Sequence, residues 1–166
     1  MAARGLSDHF VCPQLSPAPD QAVADVSRLI EATTGKVTLI GSSLGGHYAN
    51  HLAEKYSLSA VLINPATVDC LDLAKFIGDH SNFHTGEKFS FSPQHALQLK
   101  TQVAPPRNGQ YWLLLEAGDE VLDYRQAVEF YSQAKQTVFA DGDHSFTRFS
   151  EFIPSIIEFA GIAAIS

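Results

Sequence analysis

A hydroxyl, a carboxylate and an imidazole are the groups in this sequence whose placement could make a catalyst. The hydroxyl is Ser43, in KVTLIGSSLGGHYAN (residues 36–50). An apolar run stops at Gly41, and Gly41-Ser42-Ser43-Leu44-Gly45 fits Gly-x-Ser-x-Gly with Ser43 at its centre. Such a motif serves nucleophilic chemistry. A sharp strand-to-helix turn lifts the serine hydroxyl off the sheet, beside the positive end of the following helix. Side chains two positions before and after the serine would collide in so tight a turn, which predicts a need for glycine at both 41 and 45. Ser42 fails this test, because Ile40 and Leu44 flank it. Other readings of the glycines are weaker. Gly41 to Gly46 has the spacing of a phosphate-binding loop, but His47 and Tyr48 stand where Lys and Ser or Thr are needed. No Gly-x-Gly-x-x-Gly fingerprint occurs. The plain structural reading is a tight turn with an idle serine.

A serine hydroxyl needs a base, and the base needs an orienting carboxylate. One widespread arrangement orders them along the chain as serine, carboxylate, histidine. Of the 7 histidines, only His144 follows the final apolar run, in DGDHSF. Asp119 comes first after the run YWLLLEAG and is the expected acid, with Glu120 the runner-up. Asp123 reads as a helix cap. Asp141 and Asp143 flank the turn before His144, where Asp commonly makes local hydrogen bonds. His47 and His51 share a helix face with Lys55 and are expected to be solvated. Their spacing could hold a metal, but Tyr48 replaces the glutamate of the zinc protease motif. His80 and His84 repeat the spacing without a third clear ligand, so no metal is expected.

These residues must be positioned by elements, and short apolar runs alternate with amphipathic ones. Strands are expected at 10–15, 37–41, 59–64, 111–116 and 137–140. Helices are expected at 20–34, 44–56, 69–77, 93–99, 123–134 and 149–160. The near-continuous apolar character of 37–41 predicts a strand buried on both faces. Residues 78–92, polar and aromatic, read as a loop: either a lid that sets acyl specificity or plain surface. Asn64 reads as a turn residue before Pro65. This alternation implies an α/β, doubly wound, mostly parallel sheet of about five strands in a single domain spanning 1–166. Ligands of such sheets bind outside the carboxyl ends of the strands, where Ser43, Asn64, Asp119 and His144 all fall.

Composition narrows the class. The chain has 166 residues, 45% hydrophobic and 17% charged, as in an ordinary globular protein. Its net charge is -7 and its 11 Lys and Arg are scattered, which argues against nucleic acid as a partner. Cys12 and Cys70 form no Cys-x-x-Cys pair and read as free thiols of a reducing compartment, with a disulfide between them as the alternative. No signal-peptide core opens the sequence, and no apolar run approaches the roughly 20 residues of a membrane span.

Five stretches together resemble a known family: GSSLGGHYA, INPA (63–66), HTGEKF (84–89), GDEVLDYRQAV (118–128) and DGDHSFTRF (141–149). They are similar to the small bacterial YqiA/YcfP-type esterases of the α/β-hydrolase superfamily, over nearly the whole chain. The resemblance implies a cytoplasmic serine esterase acting on short or simple acyl esters or thioesters, without a cofactor. It carries over the nucleophile to Ser43, the acid to Asp119, the base to His144 and one oxyanion-binding amide to Leu44. Family members begin with a strand ending in a His-Gly-Phe-type loop, which supplies a second oxyanion amide. Residues 1–6 here look like the end of the helix after that loop. The sequence is therefore expected to be truncated at its N-terminus relative to the family, through a misplaced start codon or a shortened gene. Losing one oxyanion donor typically costs about 10²–10³ in kcat, so weak activity is expected. Strand 37–41 would then pair with 10–15 or leave an apolar edge. The rival expectation is a non-catalytic α/β-hydrolase-like binding or scaffold protein with an incomplete oxyanion hole.

Overall fold

A computed structural model describes residues 9–81 and 86–162. Four parallel strands form the central sheet in the order β1 (Thr38–Ser42), β2 (Ser59–Ile63), β5 (Gln110–Glu116), β6 (Lys135–Phe139). Between β2 and β5 lies an antiparallel hairpin, β3 (Gly78–Ser81) with β4 (Lys88–Phe91). The helices are α1 (Pro19–Ala32), α2 (Leu44–Tyr56), α3 (Pro93–Thr101), α4 (Tyr124–Phe130) and α5 (Phe149–Ala160).

The two central strands are buried along almost their whole length, as their apolar runs require. Their alternate residues serve opposite faces. Ala60, Leu62, Leu113 and Leu115 pack against Ala49 and Ala53 of α2 and Ala127 of α4. Val61, Ile63, Trp112 and Leu114 pack against Ile156 of α5, Phe146 and a group of aromatic side chains. Helices on both faces make the sheet doubly wound. A third cluster stacks α1 and α3 onto the outer side of α2 through Ala22, Tyr48 and Leu99.

Several expectations need correction. Among the described residues the central sheet has four strands, against the about five expected. Residues 10–15 form no strand: Pro13 can donate no ladder bond, and Phe10 and Val11 are exposed. Among the described residues β1 pairs with β2 alone, so it is an edge strand, and Ile40 is exposed rather than buried. Of the two arrangements expected for this strand, the apolar edge is the one observed. Residues 69–77 form two short 3₁₀ turns, Val68–Cys70 and Leu73–Phe76, instead of a helix. The stretch read as a loop contains the β3–β4 hairpin, in which His80 stacks on Phe89. His84 and the residues around it (82–85) lie outside the described residues, as do 1–8. The helix at 123–134 ends at Phe130. Cys12 and Cys70 are exposed free thiols. Among the described residues no helix is long and apolar enough to cross a membrane.

Candidate active site

The strand register aligns the carboxyl ends that carry the candidate residues: Ser42 is opposite Ile63, Ile63 opposite Leu114, and Glu116 opposite Phe139. Ser43 follows β1 directly, in the left-handed region at φ 53°. A serine pays a conformational penalty there, and such strain persists only where the surroundings fix it. Three backbone bonds do so. The Ser43 amide donates to the Ile63 carbonyl (3.0 Å), while the Ser43 carbonyl accepts from Gly46 and Ala66, both at 2.9 Å.

The glycines divide their work differently from the sequence expectation. A Cβ on Gly41 would stand 2.2 Å from the Gly45 carbonyl oxygen, so residue 41 must be glycine. A Cβ on Gly45 would meet nothing within 4 Å among the described residues. The collision is one-sided: position 41 strikes the backbone of 45, whereas the Cβ of 45 would point away. Gly46 is the second required glycine, because its Cβ would come 2.7 Å from that of Pro65.

Ser43 Oγ lies 2.9 Å from His144 Nε2, and His144 Nδ1 lies 2.8 Å from Asp119 Oδ2. Residues separated by 101 and 25 positions in the chain thus form one unbroken hydrogen-bonded line. The Asp119 side chain is buried, with 2% of it exposed, and its Oδ1 accepts from the Val121 and Leu122 amides at 2.8 and 2.9 Å. Those two bonds leave Oδ2 for the imidazole. The His144 side chain stays 21% exposed, so the line meets solvent at its middle, the imidazole. Leu44 is the first residue of α2, where amides lack an intrahelical acceptor and the helix dipole is positive.

The competing acids have other duties. Glu120 Oε2 accepts from the His144 amide at 3.1 Å, so the runner-up holds the backbone of the histidine. Asp123 caps α4, as expected. Asp143 accepts from the Ser145 amide, and Asp141 pairs with Arg148.

Two buried polar residues were not foreseen in these roles. Glu116, 1% exposed, ends β5 directly under the His144 turn; a Cβ on Gly142 would stand 2.2 Å from its carboxyl group. Its Oε1 pairs with Arg148 Nε at 2.8 Å, and burial pushes its carboxyl up against the opposing pull of that guanidinium. A charged residue closing the run YWLLLE was the available signal. Asn64 takes φ 40° at the end of β2, where its side chain bridges the ends of β5 and the His144 loop. An Asn placed between a strand and a proline, in a residue type that tolerates the left-handed region, was the clue.

The other histidines lie away from this line. His47 is buried rather than solvated, because α1 and α3 form a second layer over that face of α2. Burial, aided by the nearby His51 ring, lowers its pKa to about 4. His51 Nδ1 is 2.9 Å from the Gln102 carbonyl, and His95 completes a capping box with Ser92. Among the described residues no group of three or more His, Cys, Asp or Glu is placed to hold a metal ion.

Similar folds occur among solved structures. Alpha/beta hydrolase domain-containing protein 10 from mouse superposes with a TM-score of 0.63 at 17% identity, covering 87% of this chain and 70% of that one. The monoacylglycerol lipase of Paleococcus ferrophilus gives 0.64 at 14%, covering 89% and 76%. Est1E from Butyrivibrio proteoclasticus gives 0.60 at 14%, covering 84% and 66%. At such identities the likeness establishes the α/β-hydrolase fold. The model of the Uncharacterised protein family (UPF0227) matches residues 2–161, and the chain therefore belongs to that family, the YqiA-like group that its motifs resemble.

Proposed function

We propose that the protein is a serine hydrolase that cleaves short or simple acyl esters or thioesters. The observation that carries this reading is the line from Asp119 through His144 to Ser43, with contacts of 2.8 and 2.9 Å and the serine strained at φ 53°. Ser43 Oγ attacks the acyl carbonyl while His144 Nε2 takes its proton. Asp119 stays ionised, fixes the tautomer and stabilises the imidazolium. The Leu44 amide and the α2 dipole stabilise the oxyanion. Collapse of the tetrahedral intermediate breaks the acyl–oxygen or acyl–sulfur bond, and the imidazolium returns its proton to the leaving alcohol or thiol. Water, deprotonated by the same imidazole, then releases the acid from Ser43. The name of one similar structure, a monoacylglycerol lipase, agrees with acyl-ester chemistry.

The test is hydrolysis of short-chain nitrophenyl esters and acyl thioesters by the purified chain and by Ser43→Ala. Turnover that disappears in Ser43→Ala is the expected result. Equal turnover by both, or by neither, contradicts the reading.

A further inference from the structure

Asn64 has a geometry that a turn before proline does not require. It is 3% exposed. Its Nδ2 donates to the carbonyls of Asp143 (3.1 Å) and His144 (3.2 Å), and its Oδ1 accepts from the Glu116 amide (2.9 Å). Donor contacts at one end and an acceptor contact at the other fix the orientation of the amide group, and no other side chain of this size supplies both. Its backbone amide donates to Leu114 at 3.1 Å, so the residue is anchored to β5 twice.

The same short turn also grips the nucleophile. Ile63 accepts from the Ser43 amide and Ala66 donates to the Ser43 carbonyl. Residues 63–66 thus hold Ser43 by its backbone on one side and His144 by its backbone on the other. The peptide of His144 is gripped at both ends, its amide by Glu120 and its carbonyl by Asn64. Of these two grips, that of Asn64 is partly buried and that of Glu120 is exposed.

Resting on the proposed role of His144 as base, we propose that Asn64 is a positioning residue that sets the distance between His144 and Ser43. It touches neither the reacting atoms nor solvent, and acts by fixing the base loop to the turn that carries the nucleophile. Displacing a catalytic group by about 1 Å can cost as much as 10²-fold in rate.

Two variants separate positioning from folding. Asn64→Gly keeps the left-handed backbone and removes the side chain; Asn64→Asp keeps the shape and removes the donor. Rates of fluorophosphonate labelling are measured per folded molecule for the parent, both variants and Ser43→Ala. Proton NMR follows the His144 Nδ1 proton in each. Both variants should label about 10–100-fold more slowly than the parent, and the Nδ1 resonance should shift or broaden through a loosened Asp119–His144 contact. A purely structural role would lower the melting temperature but leave the rate and the resonance unchanged, and that result overturns the proposal. Should the parent not label at all, the hydrolase reading fails, and the NMR comparison alone still decides the role of Asn64.

Discussion

The two ends of the central sheet solve the same problem in opposite ways. At the amino end of β5, Glu54 of α2 gathers the amides of Arg107, Asn108 and Gly109 and the Tyr111 hydroxyl. Burial pushes its carboxyl up, but those hydrogen bonds outweigh it and hold the group below the usual carboxylate range. None of these residues has a positive φ. At the carboxyl end, three of the four described non-glycine residues with positive φ crowd together: Ser43, Asn64 and Phe146. Glu116, buried beneath them, leaves Oε2 without a partner among the described residues. The fourth such residue, Ser57, caps α2 at the opposite end, two residues before β2 begins. Both ends are stitched by buried or half-buried acceptors, and among the described residues each holds an unpartnered buried oxygen, Glu116 Oε2 at one and Thr38 Oγ1 at the other, but positive φ is concentrated at the carboxyl end. That concentration of strain fits the proposed site, since strain survives where position matters more than stability.

The contrast can be broken by mutation. The largest effects belong to the strained end. Ser43→Ala should lower kcat about 10⁶-fold, and Asp119→Asn about 10⁴-fold, with melting temperatures nearly unchanged. Steady-state kinetics beside calorimetry checks both. At the relaxed end, Glu54→Gln should behave in reverse, costing about 1–3 kcal/mol of stability and leaving kcat within about twofold. Urea unfolding measures the cost. Loss of activity in Glu54→Gln at temperatures where it is folded would erase the distinction between the ends.

Within the turn itself, Gly41→Ala and Gly45→Ala sharpen the point. The first forces a Cβ to 2.2 Å from a carbonyl oxygen and should cost more than about 3 kcal/mol. The second enters open space in the first turn of α2 and should be neutral or stabilising by about 0.5–1 kcal/mol. Equal destabilisation would contradict the one-sided collision.

A pH-dependent effect comes from the outer helix layer. His47 is neutral when folded, with its pKa lowered to about 4, against about 6.5 unfolded. Between those values the unfolded chain binds the extra proton. Stability is therefore full above about pH 6.5, falls as the pH drops towards 4, and loses up to about 3 kcal/mol there. Unfolding free energies across that range should slope less steeply in His47→Gln. Identical slopes would show that His47 does not carry the acid sensitivity.

Much of this was legible in the sequence, for identifiable reasons. Runs such as SAVLI and YWLLLE have the length and bounding turn signals of strands covered on both sides, and α2 and α5 show their periodicity plainly. Ser43, Asp119 and His144 were legible because each follows an apolar run, in one order, at the edge where such sheets place their loops. What escaped depended on partners distant in sequence. His47 faces outward from the sheet, and only the packing of α1 and α3 buries it. The double hydrogen bonding of Asn64 depends on loops about 80 residues away. The β3–β4 hairpin is too short and too polar for its alternation to stand out. Gly45 was misjudged because the motif names both glycines while the backbone path makes only one of them collide.

The central claim is that Ser43 is an activated nucleophile. The most direct measurement is intact-mass and peptide mass spectrometry after exposure to a fluorophosphonate. The account predicts one covalent adduct per chain, on the peptide containing Ser43, absent in Ser43→Ala and strongly reduced in His144→Ala. No adduct, or an adduct on another residue, would contradict it.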